Sequence, residues 1–202
     1  MRIHKFLLKT HAEGPGIRSC IWVQGCNHHC KGCFSKHTWD YNGGSEYSVS
    51  DVIKNIEKVI DEIDGVTFLG GEPFDQADEL GEIAKYFKSR GKNIISFTGY
   101  TYEQLQADIK YKSLLENTDL LCDGEFEIEK TDFSRPLVGS SNQRMIYLSD
   151  AISSEQMLNY KNRFEIRINN NGLTEINGMG NITKIKEYLK EERGITNGIT
   201  NI

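Results

Sequence analysis

The sequence predicts a single-domain α/β protein, a partial (βα)6-type parallel barrel, on three observations. Short β-rich apolar runs alternate with stretches of helical periodicity along the 202 residues, as in βα repeats. Six such strands are too few to close an eight-stranded barrel. Four unusual segments each stand just after a strand: the cysteine-rich loop after Val23, Gly70-Gly71-Glu72-Pro73, Thr98-Gly99-Tyr100 and Asp123-Gly124. In parallel α/β sheets those carboxyl ends share one rim, where ligands bind. The domain is expected over residues 1–195, with 196–202 a frayed tail.

The elements follow in order. Ser19–Val23 reads as a buried strand that runs into the cysteine loop. Ser48-x-x-Asp51 has the form of a capping box, with Val52, Ile53, Ile56, Val59, Ile60 and Ile63 on one helical face. Val66–Leu69 is a short strand. Leu80, Ile83, Ala84 and Phe87 mark a second helix, ended by a C′ glycine at Gly91. Asn93–Phe97 is the next strand. Thr101-x-x-Gln104 opens a helix with Leu105 and Ile109 inward, and Asp119–Cys122 is a strand. An irregular stretch, 125–142, leads to the strand Arg144–Leu148. Ser153-x-x-Gln156 caps a helix before the strand Phe164–Ile168. A turn at 169–172 precedes Leu173–Ile176, and Ile182, Ile185 and Leu189 mark a closing helix.

Composition narrows the function classes. Lys and Arg total 24 against 29 for Asp and Glu, a formal net charge of -5, which argues against a broad nucleic-acid face. With 38% hydrophobic and 26% charged residues, the chain reads as an ordinary globule, able to bury about 70% of its unfolded surface. No apolar run approaches the roughly 18 residues of a membrane span. The start is too short and polar for a secretory signal, so the expected compartment is the cytoplasm.

Of five cysteines, three crowd into Cys26-x3-Cys30-x2-Cys33, with Cys20 and Cys122 apart. An odd count without a signal peptide is a poor disulfide framework. Zinc is one reading, with His28, His29 or Cys20 as fourth ligand, although no second Cys/His pair follows downstream. An iron–sulfur cluster is the other. Such clusters usually take four thiolates, so three would leave one iron open, as a catalytic metal site requires.

The C-x3-C-x2-C spacing together with Gly70-Gly71-Glu72-Pro73 resembles the radical S-adenosylmethionine (SAM) superfamily. Glu13-Gly14-Pro15-Gly16-Ile17-Arg18 and Gln24-Gly25-Cys26 resemble the leading segment of its glycyl-radical-enzyme activating group. His28-x-Cys30-x-Gly32-Cys33, Thr38-Trp39, Thr98-Gly99-Tyr100-Thr101, Asp123-Gly124 and Gly139–Arg144 are similar to the activating proteins of anaerobic ribonucleoside-triphosphate reductase. The similarity runs from about residue 13 to residue 180.

The resemblance implies a [4Fe-4S] cluster on Cys26, Cys30 and Cys33. SAM would chelate the open iron and be cleaved reductively to methionine and a 5′-deoxyadenosyl radical. It implies SAM contacts from Gly70, Gly71 and Glu72, where missing Cβ atoms allow close backbone approach. Gly32 stands where many relatives carry an aromatic residue, which leaves the adenine to Phe34 or to backbone beside Cys33. Thr98 and Asp123 are candidates for the ribose or methionine part, and each also reads as a cap or turn residue. His28 and His29 read either as donors to cluster sulfurs or as solvated loop residues. Arg18 and Arg144 read as surface salt-bridging or partner-binding residues. No separate catalytic side chain is expected, since the cofactors carry the chemistry. The implied partners are the glycyl-radical subunit of the reductase and an electron donor such as flavodoxin, with no nucleic acid or membrane. The alternatives are an activase of the pyruvate formate-lyase type or a non-catalytic zinc or iron–sulfur module.

Overall fold

The computed structural model describes residues 1–168, 170, 174–193 and 199–201. The chain opens with β1 (Arg2–Thr10), antiparallel to β2 (Arg18–Val23), and the two-residue β3 (Ser45–Glu46) pairs with the start of β1. Then follow α1 (Val49–Glu57), β4 (Gly65–Gly70), α2 (Ala77–Ser89), β5 (Asn93–Phe97), α3 (Tyr102–Ala107), α4 (Lys112–Leu115) and β6 (Leu120–Asp123). The remainder is β7 (Arg144–Tyr147), α5 (Ser154–Asn159), β8 (Phe164–Ile168), β9 (Thr174–Gly178), α6 (Ile182–Arg193) and β10 (Ile199–Asn201). One sheet has seven strands in the order β3-β1-β2-β4-β5-β6-β7, and a second has three in the order β10-β9-β8.

The expected six-stranded parallel barrel is therefore corrected. In the main sheet β2, β4, β5 and β6 pair in parallel, β1 and β7 flank them antiparallel, and β3 pairs antiparallel with β1 at the outer edge. β8 and β9 leave the main sheet altogether. β1 was not expected as a strand. Ile199–Asn201, expected to fray, pairs in parallel with Thr174–Ile176. The turn expected at 169–172 lies outside the described residues except for Asn170.

Local chemistry explains the helices that the sequence marks. The hydroxyls of Ser48, Thr101 and Ser153 accept from the backbone N–H three residues on, and Thr101 with Gln104 closes a full capping box. These caps satisfy first-turn donors that otherwise have no partner. α1 is shorter than its apolar stripe, because the chain tightens into a 3-10 turn at Ile60–Glu62, yet Val59 and Ile63 stay buried. Ile109, expected inward, is 78% exposed, because α3 ends at Ala107 and the chain turns outward before α4.

Strand alternation sorts the sheet into two faces. On one, Ile21, Val66, Phe68, Ile94 and Leu121 pack against Val52 and Ile56 of α1 and Leu80, Ile83 and Phe87 of α2. On the other, Ile95, Leu120 and Cys122 meet Leu137, Ile152, Met157 and Tyr160 from later in the chain.

Arg18, expected at the surface, is fully buried at the amino ends of the parallel strands. Its Nε donates to Thr67 Oγ1 (2.6 Å), Nη2 to the carbonyls of Val66 (2.8 Å) and Asn93 (3.1 Å), and Nη1 to Asn93 Oδ1 (2.6 Å). Burial pulls this guanidinium down to about 10, so it remains a cation at neutral pH. One planar fork thereby ties the starts of β2, β4 and β5, a geometry that lysine cannot reproduce. Arg18→Met is expected to cost roughly 3 kcal/mol or more, because it orphans several buried acceptors. Urea unfolding should show the midpoint falling at nearly constant slope.

Candidate metal and cofactor site

β2 delivers the chain into the cysteine loop, which closes on itself. Gly25 N–H donates to the Thr38 carbonyl (2.7 Å), Cys26 N–H to that of Trp39 (3.1 Å), and Cys33 N–H to that of Cys30 (3.0 Å). Cys26, Cys30 and Cys33 line a single cavity of about 200 Å³ at the carboxyl ends of the parallel strands. Its floor is built by Trp22, Leu69, Phe97 and Cys122, one from each of β2, β4, β5 and β6. Backbone N–H groups point at the sulfurs: those of His28 and His29 at Cys26, that of Phe126 at Cys30, and that of Ser35 at Cys33 (3.4 Å). Such donors stabilise thiolates and adjust a bound metal. Burial pushes the free Cys26 thiol up to about 11 and the Cys30 thiol upward as well, so a metal must displace their protons.

The Gly70-Gly71-Glu72-Pro73 turn is stapled to the start of this loop. Gly71 N–H donates to the Val23 carbonyl (2.9 Å) and Glu72 N–H to that of Gly25 (2.8 Å). Gly70 sits at φ +102°, and a Cβ on Gly71 would stand 2.2 Å from the Gly25 carbonyl oxygen. Glycine is thus required by backbone-to-backbone packing as well as by any ligand.

Glu72 is 1% exposed. Its Oε1 accepts from Phe74 N–H (2.9 Å) and the Thr98 hydroxyl (2.9 Å), and its Oε2 from Gly99 N–H (2.8 Å), with His28 Nε2 at 3.3 Å. Its lone pairs are occupied by protein, so it anchors three rim loops. Thr98 lines the cavity but has committed its proton to Glu72.

His28 is not a solvated loop residue. Glu72 and, on Nδ1, Glu125 (2.8 Å) push it up to about 9 against the opposing effect of burial. His29 stacks on Trp39 with ring centres 4.6 Å apart.

Two residues expected to contact a cofactor are not among those lining the cavity. Asp123 is buried, its carboxylate held by Arg144 Nε (3.0 Å) and Nη2 and by the Tyr102 N–H (2.7 Å) that opens α3. Arg144 spends its remaining donors on Glu103 (2.8 and 3.0 Å). Gly32 does not line the cavity either, since its missing Cβ makes room for Ile128, whose Cδ1 would stand 2.7 Å away. Phe34 does line it.

Residues not singled out for the cavity include Phe126, Phe133, Gln143 and Glu13. Gln143 Nε2 donates to the Gly124 carbonyl (2.9 Å) while its Oε1 accepts from Gly139 and Ser140 N–H (2.9 and 3.2 Å), so the 139–144 segment folds over the rim. The resemblance pointed to that segment, but the aromatics of the irregular 125–142 stretch carry no periodicity that assigns them a side. Glu13 is buried, and desolvation pushes it up to about 7 although Asn177 Nδ2 donates to it (3.0 Å). A carboxyl that holds its proton more tightly when folded gives stability that is complete at pH below about 4.5 and declines as pH rises to about 7. Glu13→Gln should remove that decline. Unfolding of the two proteins from pH 4.5 to 7 should diverge by up to roughly 3 kcal/mol in favour of glutamine as pH rises.

The family described as a 4Fe-4S single cluster domain matches residues 12–146, which include every cysteine of the loop. The chain belongs to that family. Its similar relatives include the anaerobic ribonucleoside-triphosphate reductase-activating protein of Pasteurella multocida, 31% identical over 139 residues, covering 65% of this chain and 87% of that one. The protein of the same name from Enterobacteria phage T4 is 31% identical over 147 residues, covering 69% and 90%. The pyruvate formate-lyase-activating enzyme of Clostridium pasteurianum is 34% identical over 125 residues, covering 59% of this chain and 50% of that one. Among solved structures, QueE from Escherichia coli overlaps 50% of this chain and 53% of that one with a TM-score of 0.41 and 20% identity. Among the described residues, no helix is long and apolar enough to cross a membrane.

Proposed function

We propose that this family member is a radical SAM activase that generates a glycyl radical on anaerobic ribonucleoside-triphosphate reductase. The observation that carries the reading is that three cysteines of one short loop face a cavity walled by the Gly70-Gly71 turn. The donor set, three thiols of one loop lining one cavity, fits a cluster, since a cubane takes each thiolate at a separate iron. When bound, the cluster and SAM supply the hydrogen-abstracting radical.

The chain's own residues do the rest. Cys26, Cys30 and Cys33 would hold the cluster, and backbone N–H groups beside them would steady the sulfurs. The Gly70-Gly71 edge and Phe34 would receive SAM, with Thr98 contributing its oxygen. Trp22, Phe97, Phe126 and Phe133 exclude water from a highly reactive species. The partner glycine would enter from the open side of the cavity, and a flavodoxin-type donor in the cytoplasm would supply the electron.

The test is to mix anaerobically reconstituted, reduced protein with SAM and the reductase. The expected result is a glycyl doublet by electron paramagnetic resonance with 5′-deoxyadenosine formed in proportion. Deoxyadenosine without the doublet would refute this substrate while keeping the chemistry, and a pyruvate formate-lyase-type partner would then be tried. A colourless zinc protein would refute both.

A further inference from the structure

The two arms of the cysteine loop meet on a buried amide that has no part in the chemistry described so far. Gln24, the residue after β2, is 2% exposed. Its Nε2 donates to the carbonyls of Asp40 (2.6 Å) and His37 (3.3 Å), and its Oε1 faces His4 Nδ1 (3.1 Å). A carbonyl only accepts, so the amide nitrogen must face residues 37 and 40, and His4 must carry a proton on Nδ1 and donate it. The backbone of Gln24 is held as well. Its N–H donates to the Arg2 carbonyl (3.0 Å), and its carbonyl accepts from Gln76 Nε2 (3.1 Å). Gln76 also grips the Arg2 N–H (2.7 Å) and carbonyl (3.0 Å), so the base from which the Gln24 side chain reaches is fixed to β1 and to the turn Pro73–Gln76.

With the bonds from Gly25 and Cys26 to Thr38 and Trp39, three consecutive residues, 24–26, take up four consecutive carbonyls, 37–40. Gly25 and Cys26 contribute backbone alone, and Gln24 contributes the side chain. The packing leaves no slack, since a Cβ on Gly43 would stand 2.6 Å from Gln24 Nε2 and one on Gly44 3.0 Å from Gln24 Cβ. A buried amide is costly unless bonded, and an apolar side chain would fill the same space without joining the arms. Cys26 lies on the entry arm, two residues beyond Gln24, whereas Cys30 and Cys33 lie in the bend. The placement of the first thiol relative to the other two therefore depends on what holds the arms together.

We propose that Gln24 is a positioning residue for the cluster, the clasp that keeps Cys26 in register with Cys30 and Cys33. The inference rests on the assignment of these three cysteines as ligands. A cluster on three thiolates stays bound only while all three are held at once, and opening of the clasp frees Cys26 first. Such opening is local and leaves the sheet folded, because His37 and Asp40 are exposed residues at which water can replace the lost donor.

The test uses the full chain as wild type, Gln24→Met, which fills the space without an amide, and Gln24→Glu, which keeps the acceptor for His4 and turns an oxygen on the two carbonyls. Metal-free protein is alkylated with iodoacetamide, and the labelled cysteines are located by mass spectrometry. In both variants Cys26 should react about five- to tenfold faster than in the wild type, as the net loss of a hydrogen bond that closes a local opening implies. Cys122, buried in β6, should stay within about twofold, whereas a general loss of stability would expose both thiols together. In reconstituted protein, iron release to a chelator should quicken by a similar factor, and the reduced cluster should give altered g values by electron paramagnetic resonance. Unchanged labelling of Cys26, labelling of Cys122 that rises in step with it, or iron release at the wild-type rate would overturn the proposal. Thermal unfolding checks each variant, and should Gln24→Met fail to fold, Gln24→Glu carries the same comparisons. A wild type that binds no iron overturns the ligand assignment itself, and that arm is read before any variant is compared.

Discussion

Cys30→Ala is expected to lose its iron and sulfide and to reduce 5′-deoxyadenosine formation by roughly a hundredfold or more, since even outer-shell changes at metal sites cost 10–100-fold. The fold should survive. Cys30 is half-exposed, and the loop is closed by backbone bonds from Gly25 and Cys26 to Thr38 and Trp39, none of which uses a sulfur. Far-ultraviolet circular dichroism and the unfolding midpoint should therefore change little while the visible absorbance of the reconstituted protein disappears. Cys122→Ala is the control. It too lines the cavity, but its thiol sits within β6, pushed strongly upward by burial, and its loss should weaken packing and leave iron bound. Iron retained by the first variant, or lost by the second, would reassign the ligands.

Strands bounded by glycine and made of unbroken apolar runs were legible in the sequence. β2, β4 and β5 lie within a residue or so of their expected limits because burial on both faces leaves no alternation to misread. β1 was not legible for the opposite reason. Its register slips between Ile3 and Lys5 and again between Leu7 and Thr10, so bulges erase the period of two that marks a half-buried strand. The direction of β7 could have been inferred. A parallel crossover needs a covering helix, and the 125–142 stretch offers only a 3-10 turn at Ile128–Lys130, so the antiparallel return beside β6 follows.

At the site, the cysteines and the Gly70–Glu72 turn were visible because few residue types can do their work. Asp123 and Thr98 were ambiguous because an acid or hydroxyl at a strand end serves equally as ligand or cap, and here Asp123 caps α3. Arg18 is the sharpest misreading. Nothing in Ile17-Arg18-Ser19 announces that a cation will be buried, because its acceptors, the carbonyls of Val66 and Asn93, come from strands remote in sequence.

Glu72→Ala should be as damaging to the fold as Arg18→Met and far more damaging to the site. It leaves the donors of Phe74, Thr98 and Gly99 without their acceptor in a place that water does not reach. Buried unsatisfied groups cost about 1–3 kcal/mol each, and relaxation recovers part of that, so a net loss of roughly 3–5 kcal/mol is expected. For a chain of this size that is on the order of 10 °C in melting temperature. Glu72→Gln should recover only part, since its amide nitrogen must face either the Gly99 N–H or the pair of donors from Phe74 and Thr98, and a donor cannot satisfy a donor. The two buried charges thus act at opposite ends of the same parallel strands, the guanidinium on their starts and the carboxylate on the loops that follow them. If the carboxylate matters only for stability, the two variants, compared at matched fractions folded, should retain equal iron. The contacts of Glu72 to the 98–99 loop, and the 3.3 Å approach of His28 from within the cysteine loop, require that the Glu72 variant release iron faster while Arg18→Met holds it as the wild type does.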